Sequence, residues 1–300
     1  MLEIFDIIET KARLTLKRLG QIPGISMPII RLWNTYECLI FETHIYLNLR
    51  PTKWKALIDP YCVYWVSPEH VKKTSMSFDF IKDTGRVVGG DWDNGQKEVI
   101  DGGYYARFEK VLHNRTSWKA TNYYEQRAWE IKEGKDDRYV SVEEFENKLQ
   151  YYEKLYEEFK SGNYKSQPEL VADNEMSLPG EGGRALFPSL TDHALMRHEI
   201  AVSIGRDGTL LRNDGRHRLA LAHLAGVDKI PVRIVVRHTE WQNLRDRVAQ
   251  AIDDGLNSGV PVDQIRNHVE QTLDEELESI MFGLDHPDLE AIFKSKVSNK

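Results

Sequence analysis

Cysteine is scarce in this chain: only Cys38 and Cys62 occur among 300 residues. A disulfide framework needs more pairs than that, so both read as reduced thiols of an interior. An excess of positive charge is missing as well. The 40 Lys and Arg are outnumbered by 47 Asp and Glu, for a formal net charge of −7. Neutralising nucleic acid takes a basic face, so nucleic acid is disfavoured as the main partner. No uncharged apolar run reaches the ~18 residues of a membrane span, and Glu3, Asp6 and Glu9 stand where a signal peptide would carry positive charge. There are no repeats and no low-complexity tracts. A cytoplasmic protein without membrane attachment is therefore expected. Its 41% apolar content suffices for a substantial core in one elaborated domain or two.

Along the chain, Leu2, Phe5, Ile8, Ala12, Leu16 and Leu19 recur at helical spacing and predict an amphipathic helix. From Ile22 to Pro68, aromatic and β-branched clusters punctuated by prolines suggest short strands and ordered loops rather than long helices, with Ile58 to Val66 the best strand. Val87 to Gly95 crowds glycines around Asp91, Trp92 and Asp93 and reads as a loop. Tyr104 to Glu133 is predicted to be helical in part. Ser141 and Glu144 form a capping box, after which Phe145, Leu149, Tyr152, Leu155, Tyr156 and Phe159 repeat at three and four until Gly162. That is one long helix.

Asn163 to Pro188 reads as a long loop or linker. Beyond it, Ile200, Val202 and Ile204 alternate as a strand, Arg206 to Gly208 turns, and Thr209 to Arg212 pairs back. The period then changes to about 3.6 over Arg216 to Ala225, which stops at Gly226. Ile230 to Arg237 is a strand whose proline suits a start or an edge. Trp241 to Lys300 is mostly helical, with breaks at 257–261 and at His286-Pro287. The acidic run Asp274 to Glu278 reads as a wet helix face.

Chemistry concentrates at Asn213, Asp214, Gly215, Arg216, His217 and Arg218, where a loop opens onto a helix. The first amides of a helix and its dipole attract anions. Gly215 would let phosphate approach the backbone, His217 can donate from an imidazole, and Arg218 adds a fork suited to phosphate oxygens. Asp214 has two readings, as helix N-cap or as a ligand for Mg²⁺ beside a triphosphate.

These residues, followed by Leu219 to Ala222, Gly226 and Ile230 to Arg233, resemble the core of the ParB/sulfiredoxin superfamily over Asn213 to Val235. The resemblance implies a small α+β domain whose loop grips nucleotide phosphates, ATP in sulfiredoxin and the free-serine kinases and CTP in ParB. The Asp-Gly-x-His-Arg form here is nearer the kinases. It carries Gly215, Arg216, His217 and Arg218 over as phosphate-binding residues and Asp214 as the acidic residue serving metal or catalysis. Arg216 stands where sulfiredoxin places its catalytic cysteine, so sulfinic acid reduction is not implied. ParB's arginine-rich box and helix-turn-helix are not evident. The kinases' upstream glutamate base has Glu199 as its nearest match, which otherwise reads as an exposed strand-end carboxylate.

Other groups keep alternatives open. Asp91 and Asp93 could serve a metal, or Asp91 a base, with Trp92 stacking on a base or sugar, or the same turn could bury its indole and expose its carboxylates. Arg237 and His238 read as a second anion contact or a solvated strand end. Tyr104 to Trp129, interleaved with Arg107, Lys110, Arg115, Lys119 and Arg127, reads as a stacking surface or as core. The histidines lack zinc-ligand spacing.

The expected fold is thus α+β, a small ParB/sulfiredoxin-like mixed sheet with helical N-terminal and C-terminal elaborations. Residues 1–165 would form an acceptor-binding or core-packed region, 166–240 the nucleotide-binding core, and 241–300 a helical tail. The expected function is an ATP- and Mg²⁺-dependent phosphotransferase acting on a small hydroxylated acceptor. The alternative is a ParB-type nucleotide-gated, DNA-associated module or nuclease.

Overall fold

Strand β6, Ile230–His238, is buried at every position, which suits its β-branched run because a central strand is covered on both faces. The computed structural model describes residues 26–49, 54–75, 78–94, 97–100, 103–136, 138–139, 141–166, 169 and 199–297. Around β6 the sheet is mixed and six-stranded, in the order β1-β6-β4-β5-β2, with β3 also on β6. The strands are β1 (Val63–Val66), β2 (Lys73–Thr74), β3 (Arg86–Val88), β4 (Ile200–Ile204) and β5 (Leu210–Arg212). β6 runs parallel to β4 and β3 and antiparallel to β1. This is the α+β class read from the sequence.

Three strands of the sheet come from residues before 166, so the expected N-terminal region and nucleotide-binding core share one sheet. One buried cluster extends from Ala56 to Ile292, and a smaller one gathers Trp92, Ala201, Leu211, Val235 and Val236. β4 is buried on both faces rather than one, since Phe78, Phe80 and Trp92 pack with Ala201 on the side that alternation alone would leave wet. Each such Ile or Val contributes about 1.5–3 kcal/mol by leaving water. Pro231 lies in the central strand and not at an edge; the strand-start reading holds, because it is the second residue of β6.

Nine α-helices are found among the described residues. Helix α1, Ser26–Asn48, replaces the short strands expected between Ile22 and Pro68. Its buried residues Thr35, Cys38, Phe41 and Ile45 recur at helical spacing, and Pro28 sits in its first turn, where a missing amide costs nothing. Within the strand expected from Ile58 to Val66, only Val63–Val66 pairs. The expected helix over Leu2 to Leu19 and most of the expected loop of 163–188 lie outside the described residues.

Helices α2 (Gly103–Phe108), α3 (Asn122–Lys132) and α4 (Val142–Lys160) form a layer beside the sheet, and a π-helical turn, Glu109–His113, follows α2. α4 is capped as its sequence predicts: the Glu144 amide donates to Ser141 Oγ at 3.1 Å. All six residues of its predicted stripe are buried. Helix α5 is Arg216–Ala225, and it ends at Gly226 in the left-handed conformation.

After β6 come α6 (Thr239–Asn257), α7 (Ile265–Thr272), α8 (Asp274–Glu278) and α9 (Pro287–Val297). Their anchor is the buried Asp288. Arg237 binds it through two nitrogens at 2.9 and 2.7 Å, Trp241 Nε1 donates at 2.9 Å, Tyr64 hydroxyl at 3.2 Å, and Arg245 lies at 3.1 Å. Burial pushes the Asp288 carboxyl up, but Arg237 and Arg245 outweigh it and hold the group far below the usual range. No helix among the described residues is long and apolar enough to cross a membrane.

Candidate functional site

The loop from Asn213 to Arg218 is fastened to the start of β4. The amides of Asn213 and Asp214 both donate to Ala201 O, at 2.8 and 3.1 Å. Asn213 Nδ2 donates to Phe78 O at 2.7 Å, while its Oδ1 accepts from Ser75 hydroxyl at 2.8 Å. Asn213 is therefore an anchor of the loop. Gly215 has φ +82°, and a Cβ there would lie 2.9 Å from Ile200 Cα. The glycine is thus required by packing against β4 before any ligand is considered.

Gly215, not Asp214, is the N-cap of α5, and no side chain caps that helix. The Asp214 carboxylate is exposed and left over from capping. Among the described residues no acceptor takes the amide hydrogens of Gly215, Arg216 or His217. An anion is the natural partner of such a terminus.

Cations gather around it. The Arg216 guanidinium lies over the Tyr104 ring at 4.1 Å, and Arg107 lies over Tyr104 and Tyr123 at 5.2 and 4.3 Å. Lys148 of α4 covers Tyr151 at 4.5 Å and Tyr152 at 5.2 Å. Burial, and then the neighbouring Arg216, hold Arg212 below the usual guanidinium range against the opposing pull of Asp214. Among the described residues no carboxylate forms a salt bridge with Arg107, Arg212 or Arg216.

His217 sits inside this group, with Tyr104, Phe108 and Tyr152 rings at centroid distances of 4.8, 5.9 and 5.1 Å. Its Nδ1 is 3.1 Å from the Tyr152 hydroxyl. Burial first, then Arg216, Lys148, Arg138 and Arg107, lower its pKa to about 3. The imidazole is neutral at physiological pH. Between it and Tyr104, Arg107, Trp118 and Tyr123 a gap of about 10 Å³ remains, room for roughly one water. A phosphate ligand would sit at the mouth of this cage and not within it.

Arg218 turns the other way, toward Glu199 at 3.6 Å, with side-chain exposures of 17% and 0%. Glu199 is therefore buried, contrary to an exposed strand end, and its carboxylate steadies Arg218 instead of facing an acceptor.

The glycine-rich turn does not join this site. Asn213 and Gly215 pack at the Ile200–Ala201 end of β4, whereas Asp93 accepts from the backbone amide of Arg206, beyond Ile204, at 2.8 Å. Four residues of strand separate the two ends by roughly 13 Å. Asp91 and Asp93 are held by Arg206, at 2.9 and 2.8 Å. Burial pushes Asp93 up, but hydrogen bonds from Arg206 outweigh it and hold the group below the usual carboxylate range. Trp92 is buried, its Nε1 donating to Val88 O at 3.0 Å. The turn buries its indole, as one reading had it, and neither a base at Asp91 nor stacking by Trp92 on a phosphate ligand is available. The described residues include no group of three His, Cys, Asp or Glu able to hold a metal by themselves.

Arg237 and His238 are not anion contacts either. Arg237 is committed to Asp288. His238 Nε2 lies 2.8 Å from Gly90 O, and its Nδ1 accepts from the Glu240 amide to cap α6. Sequence reasoning missed Lys148, Tyr152 and Arg212; Lys148 and Tyr152 stand four apart on α4, which signals a shared face without saying what it meets.

Compared with known proteins, the chain matches no family profile, no curated protein and no solved structure.

Proposed function

We propose that this protein binds the phosphates of a nucleotide at the N-terminus of α5 and transfers a phosphoryl group from ATP, with Mg²⁺, to a small hydroxylated acceptor. One observation carries the reading. Arg107, Arg212 and Arg216, none salt-bridged among the described residues, gather by Tyr104 close to the open start of α5 in a chain of net charge −7. Like charges held near one another at a protein surface repel. A fold that keeps them together gains when an anion arrives. The resemblance of Asn213 to Val235 to nucleotide-binding loops supports the same assignment.

The residues divide the work. Arg216, Arg107 and the amides of Gly215 to His217 neutralise phosphate, while Arg218 stays turned toward Glu199. Mg²⁺ commonly uses one carboxylate together with substrate phosphates; exposed Asp214 fits that role, where the metal would offset charge on the transferring group. The acceptor oxygen forms the new P–O bond as the bond from the γ-phosphorus to ADP breaks, and the hydroxyl proton leaves to solvent. Because such transfer is mostly positioning and charge neutralisation, a buried Glu199 is no obstacle.

The test is incubation with ATP, Mg²⁺ and a mixture of hydroxylated metabolites, read by mass spectrometry for a phosphorylated product. Asp214→Asn is expected to abolish turnover while nucleotide still binds. Unchanged turnover in that variant refutes the reading, as does tight binding of CTP or duplex DNA with no acceptor-dependent ATP consumption.

A further inference from the structure

His217 is a neutral ring in a ring of cations, and it has a single hydrogen-bond partner among the described residues, the Tyr152 hydroxyl at 3.1 Å from Nδ1. From α2 it is faced by Tyr104 and Arg107, from α4 by Lys148 and Tyr152, from the segment before α4 by Arg138, and from its own helix by Arg216. All the charged groups in that set are positive. Its Nε2 makes no hydrogen bond among the described residues and is not fully enclosed.

A neutral imidazole has one N–H and one lone pair. If Nδ1 carried the hydrogen, a lone pair would remain on Nε2 and would oppose any phosphate oxygen that approached it. If the phenol donates to Nδ1, the hydrogen is on Nε2, which is left free to donate. Burial keeps the Tyr152 hydroxyl protonated, raising its pKa well above the usual value for tyrosine, so it has a hydrogen to give.

We infer that Tyr152 is a positioning residue that fixes His217 as an uncharged Nε2–H donor to the bound phosphate. The inference rests on the phosphate reading of the α5 terminus and goes beyond it in assigning how the site recognises its ligand. The arginines supply charge, which is long-ranged and tolerant of angle. The imidazole supplies direction, and it does so with no protonation step near neutral pH. Phosphate is thereby read by geometry as well as by charge.

Nitrogen-15 NMR of the imidazole, with the full chain free and saturated with MgATP, tests this. Nδ1 is expected to resonate as an unprotonated acceptor and Nε2 as an N–H in both states. Tyr152→Phe keeps the ring packing and removes the donor. It is expected to shift His217 toward a mixture of tautomers and to weaken MgATP binding roughly three- to ten-fold, as loss of one oriented hydrogen bond does. His217→Gln, which retains a neutral N–H donor, is expected to bind MgATP better than His217→Ala. An Nδ1–H imidazole in the MgATP complex overturns the inference alone, as does Tyr152→Phe with wild-type tautomer and affinity. A wild-type chain that binds no MgATP overturns the phosphate reading and this inference together.

Discussion

Gly215 and Ile200 touch so closely that a methyl group on the glycine would lie 2.9 Å from Ile200 Cα, with Ile200 Cγ1 and Cβ at 3.1 and 3.2 Å. The same contact fixes where α5 begins. Gly215→Ala should therefore destabilise the ligand-free protein by about 2 kcal/mol or more, from steric overlap plus a positive φ. Urea denaturation without any nucleotide reads this. An undiminished midpoint would mean that the glycine serves ligand approach alone.

Acid should weaken the fold through His217. Its folded pKa of about 3 lies below the ordinary 6.5, so the unfolded chain binds the proton first. The stabilisation is complete above pH 6.5 and is lost as pH falls toward 3. At pH 5 the loss from this residue alone amounts to about 2 kcal/mol. His286, lowered to about 4 mainly by burial, adds in the same direction. His217→Phe should flatten part of the pH dependence of the urea midpoint between pH 7 and 5, and an identical profile in that variant would contradict the assignment.

Much of this was legible in the chain. Ser141 with Glu144, the three-and-four stripe to Phe159, and the turn, helix and strand from Arg212 to His238 follow short-range rules, and short-range rules are what periodicity records. Helix α1 escaped because Pro28 and clustered aromatics imitate strand and loop texture, although a proline in a first turn is harmless. The site was legible in one element only. Arg107, Lys148 and Tyr152 reach His217 from elements far away in sequence, and a pattern that says which residues share a face does not say which faces meet. Arg237 looked exposed for the same reason: its partner Asp288 lies fifty-one residues on.

Asp288 should prove the most sensitive polar position outside the site. Its removal leaves Arg237 and Arg245, 1% and 2% exposed, as uncompensated buried cations. Asp288→Asn is expected to cost about 3 kcal/mol or more, measured by chemical denaturation. A loss below ~1 kcal/mol would show that water replaces the carboxylate.

Arg206 supplies the contrast. It ties Gly90, Asp91 and Asp93 at the far end of the sheet, so Arg206→Ala should lower stability and leave nucleotide affinity unchanged at a temperature where the variant is folded. A matched loss of affinity would bring the glycine-rich turn back to the site.

Binding of phosphate at the open terminus of α5 depends on the arginines beside it. Calorimetric titration of MgATP into wild-type and Arg216→Gln protein measures it directly. Wild-type binding should weaken as salt is raised, and the variant should lose about ten-fold or more in affinity. Equal affinity in the two proteins, or affinity indifferent to salt, would contradict it.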